Sequence, residues 1–101
     1  VMMSDPSNPW FLYLVRNNQG ALYTGITTNV ERRFSEHQAG GLKAAKALKG
    51  KGPLILEFSY SLPNRAIASQ LEYRIKKLSK VKKERLIKNS DLIEEWELLI
   101  P

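Results

Sequence analysis

The sequence predicts an α+β domain in which a small three-stranded antiparallel β-sheet is flanked by helices. Three observations carry that expectation. Two short β-forming runs, residues 10–15 and 21–26, are separated by the turn cluster Asn17-Asn18-Gln19-Gly20, the pattern of a hairpin. A third β-rich run spans residues 54–60. From Ile67 onward, Leu71, Ile75 and Leu78 recur three and four positions apart, the core-facing stripe of a helix. The resulting order, β-β-α-(α)-β-α-α-α, suits one sheet covered by helices.

Each element has a local reason. Residues 10–15 (Trp-Phe-Leu-Tyr-Leu-Val) form a continuous apolar run rich in aromatics, as a buried strand requires. Asn and Gly tolerate positive φ, so the cluster at 17–20 turns the chain. Thr28 or Asn29 caps the next helix, which carries Val30, Phe34 and Ala39 and stops at Gly40-Gly41. Residues 42–48 are basic and helical in composition, ending at Gly50-Lys51-Gly52-Pro53. After the third strand, Pro63 suits the first turn of the long helix. A basic helix is expected over residues 81–88, with Leu86 and Ile87 inward. Asn89-Ser90-Asp91 then caps a short last helix that turns Leu92, Ile93, Trp96 and Leu99 to the core. Residues 1–9, polar and opening on a Val ahead of Met2-Met3, are expected to be a disordered or expression-derived segment. Residues 10–101 make a single domain, since 101 residues are too few for two.

Composition narrows the function classes. A hydrophobic fraction of 43% is ordinary for a globular chain. No apolar run approaches the ~18–20 residues that span a bilayer, and the basic residues are not opposed by a bulky aromatic face, so no membrane role is expected. With no cysteine there is no disulfide frame, thiolate metal site or cysteine nucleophile, and a cytoplasmic location fits. The formal net charge is +6, unevenly spread. Residues 43–88 hold thirteen lysines and arginines against Glu57, Glu72 and Glu84, whereas residues 89–101 hold Asp91, Glu94, Glu95 and Glu97 and no base. A basic body attracts polyanions, of which nucleic acid is the commonest; a solvated lysine-rich surface would give the same count.

The hairpin presents Tyr13 in Phe11-Leu12-Tyr13 and Tyr23 in Tyr23-Thr24-Gly25. Arg33 follows Tyr23 by ten residues and His37 follows Arg33 by four, a spacing that puts both on one helical face. Glu72 is the sole glutamate on the striped helix. Taken singly, these residues have plainer readings: core tyrosines, a half-buried histidine, and a glutamate pairing with Lys76 one turn on. Taken in order, the set resembles the signature of the GIY-YIG nuclease superfamily, over about residues 10–88. The departures touch only the non-tyrosine letters of the first motif and the middle letter of the second. A family asparagine after the metal helix has no secure counterpart, because Asn89 also reads as a helix cap.

That resemblance implies a divalent-metal-dependent endonuclease that hydrolyses DNA phosphodiester bonds, in DNA repair or processing, on DNA that is branched, flap-bearing or damaged. It implies catalytic roles for Tyr13, Tyr23, Arg33, His37 and Glu72, with Glu72 holding Mg²⁺ or Mn²⁺, hard cations that suit one or two carboxylates plus phosphate. Arg33 would pair with the scissile phosphate. Tyr23 is assigned as the base and Tyr13 as the residue that orients the water. A tyrosine with the ordinary pKa near ~10 is a poor base at neutral pH, so the role needs help from Arg33, a lysine or the metal. The glycine-flanked run with Lys43, Lys46, Lys49 and Lys51 is similar to that of the small stand-alone bacterial branch, the YhbQ-like proteins. With Arg32, these lysines would track phosphates. No G-x-x-x-x-G-K-[ST] run is present, so no nucleotide cofactor is expected. The rival expectation is a catalytically weak or inactive nucleic-acid-binding module on the same fold.

Overall fold

A computed structural model describes residues 9–99; the expectation for residues 1–9 therefore lies, Pro9 apart, outside the described residues. The chain runs β1 (Trp10–Arg16), β2 (Leu22–Thr27), α1 (Val30–Ala39), a single 3₁₀ turn (Lys46–Leu48), β3 (Ile55–Leu62), α2 (Arg65–Lys76), α3 (Lys80–Lys88) and α4 (Leu92–Glu95). The three strands form one antiparallel sheet in the order β2-β1-β3. The fold is the expected α+β arrangement.

Putting β1 in the centre explains its unbroken apolar run, because both of its faces are covered. Leu12 and Leu14 are fully buried on one side, packed with Phe58, Ala68, Leu71, Ile75, Leu86 and Ile93. Burying such a leucine stabilises by about 1.5–3 kcal/mol. Tyr13 and Val15 point the other way and pack with Leu48, Leu54, Val30 and Phe34. At the hairpin, the Asn17 side chain accepts from the amides of Gln19 and Ala21, and Gly20 takes a left-handed φ of 84°. Arg16 then ties three elements together, donating to Glu57 on β3, to both carboxylate oxygens of Glu84 on α3, and to the Gly20 carbonyl.

Three local expectations change. Residues 42–48 form no helix beyond the 3₁₀ turn. Leu42 is left exposed, while Ala44 and Leu48 face inward, and two of the segment's backbone groups bond to α1 side chains instead of a helical ladder. Pro63 stands just before the cap rather than inside the helix: Asn64 accepts from the Ile67 amide and α2 starts at Arg65. Asp91 makes no side-chain cap for α4; Asn89 accepts from the Asp91 amide. Asn29, not Thr28, caps α1.

Candidate active site

Alternation along β1 carries Tyr13 to the face opposite Leu12 and Leu14. Its partner across the β1–β2 ladder is Gly25, and the phenol ring lies on that glycine. A Cβ at position 25 would fall 2.5 Å from Tyr13 Cζ, so any side chain there would displace the ring. The glycine of the second motif is thus needed for space. Tyr23, two residues earlier on β2, shares that face.

Helix α1 supplies the third ring. His37 is its one buried residue, and its imidazole closes a triangle with the tyrosines. The centroid separations are 6.3 Å for Tyr13–Tyr23, 5.9 Å for Tyr13–His37 and 5.6 Å for Tyr23–His37. The Tyr13 hydroxyl lies 2.9 Å from His37 Nε2. On the other side of the ring, Nδ1 accepts a hydrogen bond from the Ala45 amide at 3.1 Å. Tyr13 and His37 are almost wholly buried, and Tyr23 is half-buried.

Charge acts on this cluster from two sides. Burial, then the neighbouring Tyr23 and the Glu72 carboxylate, push the Tyr13 pKa up to about 12, against the opposing pull of Arg33. Burial, then the Arg33 charge, lowers the His37 pKa below the ordinary histidine value, with Glu36 opposing. Arg33 itself donates to Glu36 at 2.9 Å and to the Lys43 carbonyl at 2.5 Å. Burial disfavours its charge more than any one neighbour favours it, but the Glu36 hydrogen bond, Tyr13 and the Glu36 charge together outweigh this and raise its pKa.

Of the residues expected to be catalytic, Tyr23, Arg33 and His37 therefore stand beside the Tyr13 phenol. Glu72 stands on α2, whose Ala68, Leu71 and Ile75 pack on the opposite side of the sheet, and acts on the phenol through its charge. Its carboxylate is half-buried and 3.4 Å from Lys76 Nζ. Arg32 points to solvent, with Glu36 at 3.9 Å. Lys43, Lys46 and Lys49 are exposed and Lys51 is half-buried, on a loop anchored by Leu48 and Leu54 beneath the tyrosine face. Asn89 closes the C-terminus of α3, its backbone N–H donating to the Arg85 and Leu86 carbonyls, rather than starting the last helix. Sequence reasoning missed Glu36, although its three-residue spacing from Arg33 was visible. It also missed the Lys43 carbonyl and the Ala45 amide, which as backbone groups leave no signature in residue type.

This geometry, with two hairpin tyrosines, a glycine beneath the Tyr13 ring and an Arg and a His beside it, defines a protein of the GIY-YIG class. The family model described as the GIY-YIG catalytic domain matches residues 9–85, and the chain belongs to that family. Within it, the chain is similar to small bacterial UPF0213 proteins. It is 53% identical over 96 residues to one from Vibrio campbellii, covering 94% of this chain and 90% of that protein. It is 54% identical over 87 residues to UPF0213 protein YhbQ of Escherichia coli, covering 86% and 85%. The solution structure of a UPF0213 protein from Bacillus halodurans superposes with a TM-score of 0.51 at 38% identity, over 79% of this chain and 83% of that one. A protein from E. faecalis gives a TM-score of 0.59 at 31% identity, over 89% and 93%. A GIY-YIG nuclease domain implies a nucleic acid substrate. No described helix is long and apolar enough to cross a membrane.

Proposed function

We propose that this chain is a divalent-metal-dependent endonuclease that hydrolyses DNA phosphodiester bonds, acting in the cytoplasm in repair or processing on branched, flap-bearing or damaged DNA. The observation that carries the reading is the gathering of Tyr23, Arg33 and His37 around the buried Tyr13 hydroxyl, with the Glu72 charge acting on it. Water attacks phosphorus in line with the departing 3′ oxygen. Tyr23, the more accessible of the two tyrosines, takes the water's proton. Tyr13, with its pKa pushed up to about 12, stays protonated at neutral pH and orients the water. Arg33 exchanges Glu36 and the Lys43 carbonyl for the scissile phosphate and stabilises its growing charge. Arg32, Lys43, Lys46, Lys49 and Lys51 track neighbouring phosphates.

The described residues hold no group of three or more His, Asp or Glu able to cage a metal ion. A lone half-buried carboxylate fits Mg²⁺ or Mn²⁺, which keeps most of its waters and completes its shell from the substrate. Glu72 would hold that ion, whose chemistry is to stabilise negative charge on the departing oxygen.

The Glu72–Lys76 contact favours a second reading, a weak or inactive nucleic-acid-binding module in which Lys76 neutralises the carboxylate. A cleavage screen on single-stranded, duplex, nicked and flap DNA, with and without Mg²⁺ or Mn²⁺ and with a Glu72→Ala control, separates the two. Metal-dependent cleavage lost in the variant supports the nuclease. Binding with no cleavage of any substrate supports the module.

A further inference from the structure

We infer that the Ala45 backbone amide, on the lysine-bearing loop, fixes His37 as its Nε2–H tautomer, so that Tyr13 accepts a hydrogen bond from His37 and directs its own proton elsewhere. A backbone N–H can only donate. Its partner is Nδ1 of His37 at 3.1 Å, so that nitrogen carries the lone pair. A neutral imidazole then carries its hydrogen on Nε2. Nε2 lies 2.9 Å from the Tyr13 oxygen, which therefore receives that hydrogen. The imidazole is only 1% exposed, so water does not compete at either nitrogen. The imidazolium is disfavoured by the same contact, since a protonated Nδ1 would set one N–H against another. The groups facing the ring are Tyr13 from β1, Tyr23 from β2, and Arg33 and Glu36 on α1; burial also works against the charged form.

The consequence concerns how the site divides its labour. His37 has no free lone pair toward Tyr13, so it does not draw off the phenolic proton in the resting protein. It props the phenol, and the Tyr13 hydrogen is left for an acceptor on the substrate side. The assignment of that acceptor rests on the nuclease reading; the tautomer does not. The loop does two such tasks with backbone groups two residues apart. Its Lys43 carbonyl holds Arg33 while its Ala45 amide sets His37, so the segment bearing the exposed lysines also positions two side chains of the site.

His37 is the one histidine in the chain, so its ring nitrogens can be read directly in a long-range ¹H–¹⁵N spectrum of uniformly labelled protein, recorded above the ordinary histidine pKa. The expected result is a protonated-type Nε2 and a bare Nδ1, with a bias of roughly tenfold or more, as the cost of an unmet buried polar group implies. The decisive second sample is Tyr13→Phe, which removes the phenol and leaves Ala45 in place. Retention of the Nε2–H form there shows that the amide sets the tautomer. A switch to Nδ1–H, or rapid averaging, would show that Tyr13 had set it and would overturn the inference. So would an Nδ1–H signature in the wild type, a measurement that decides the matter alone if the variant does not fold. Absence of cleavage on every DNA substrate would sink the nuclease reading and leave this result untouched.

Discussion

The two faces of the sheet are built by alternate residues of one strand, yet they are held by different forces. Leu12 and Leu14 project into a core of Leu71, Ile75, Leu86 and Ile93, where buried area does the stabilising. Tyr13 projects into a cluster held by directional bonds: His37 Nε2 meets the phenol and the Ala45 amide meets Nδ1. The first face depends on volume and tolerates conservative apolar exchange. The second depends on directional bonds and on empty space over Gly25. The second suits the proposed chemistry, because low dielectric strengthens its electrostatics while its partners keep the groups in place.

The largest expected effect belongs to the polar face. Glu72→Ala should abolish metal-dependent cleavage while circular dichroism and DNA affinity stay near wild type; cleavage at the wild-type rate would remove Glu72 from the site. Next, Arg33→Ala should lower kcat by about 10²–10³, as removal of one transition-state donor does. The exposed Arg32→Ala should mainly weaken binding, and equal kcat losses would mean the helix face is misassigned. On the apolar face, Leu14→Ala should cost about 2–5 kcal/mol in chemical denaturation, through lost burial and the cavity left behind. A cost as small as a surface change would undo the contrast between the faces.

A smaller effect concerns pH. His37 has a folded pKa below its ordinary value because of burial and then Arg33. Below about pH 6.5, the ordinary value, the unfolded chain binds more protons than the folded one, so stability should fall as pH drops and level off below the folded pKa. Glu36 and Glu84, whose pKa values are lowered by Arg33 and Arg16, lose their contributions only further down, below about 4.3. Urea titrations between neutral pH and the carboxylate range should therefore show a slope that flattens in His37→Gln. An identical slope in that variant would take His37 out of the account. The smallest effect is on the apolar face, where Thr24 sits opposite Leu14 and its buried Oγ1 has no hydrogen-bond partner among the described residues. Thr24→Val keeps the shape and removes the unmet hydroxyl, and should stabilise by about 1 kcal/mol. A clear loss of stability would show that this hydroxyl is bonded after all.

Period and residue type by themselves determined the strands and the striped helix, because alternation and three-to-four spacing are properties of the chain alone. So is motif order, which through its likeness to the GIY-YIG signature singled out Tyr13, Tyr23, Arg33, His37 and Glu72 as candidates. The same local logic failed at residues 42–48. Their composition favours a helix, but a single 3₁₀ turn forms there, since Leu48 is buried beneath the tyrosine face and the backbone bonds to Arg33 and His37. Likewise Pro63 has the right φ to begin a helix, and the Asn64 side chain decided the start instead. Only the tertiary structure decided that Gly25 is a floor for a phenol ring, and which nitrogen of His37 holds its proton. Each of these depends on atoms distant in sequence meeting within hydrogen-bond or van der Waals range, and two of the partners are backbone groups whose chemistry is the same at every residue.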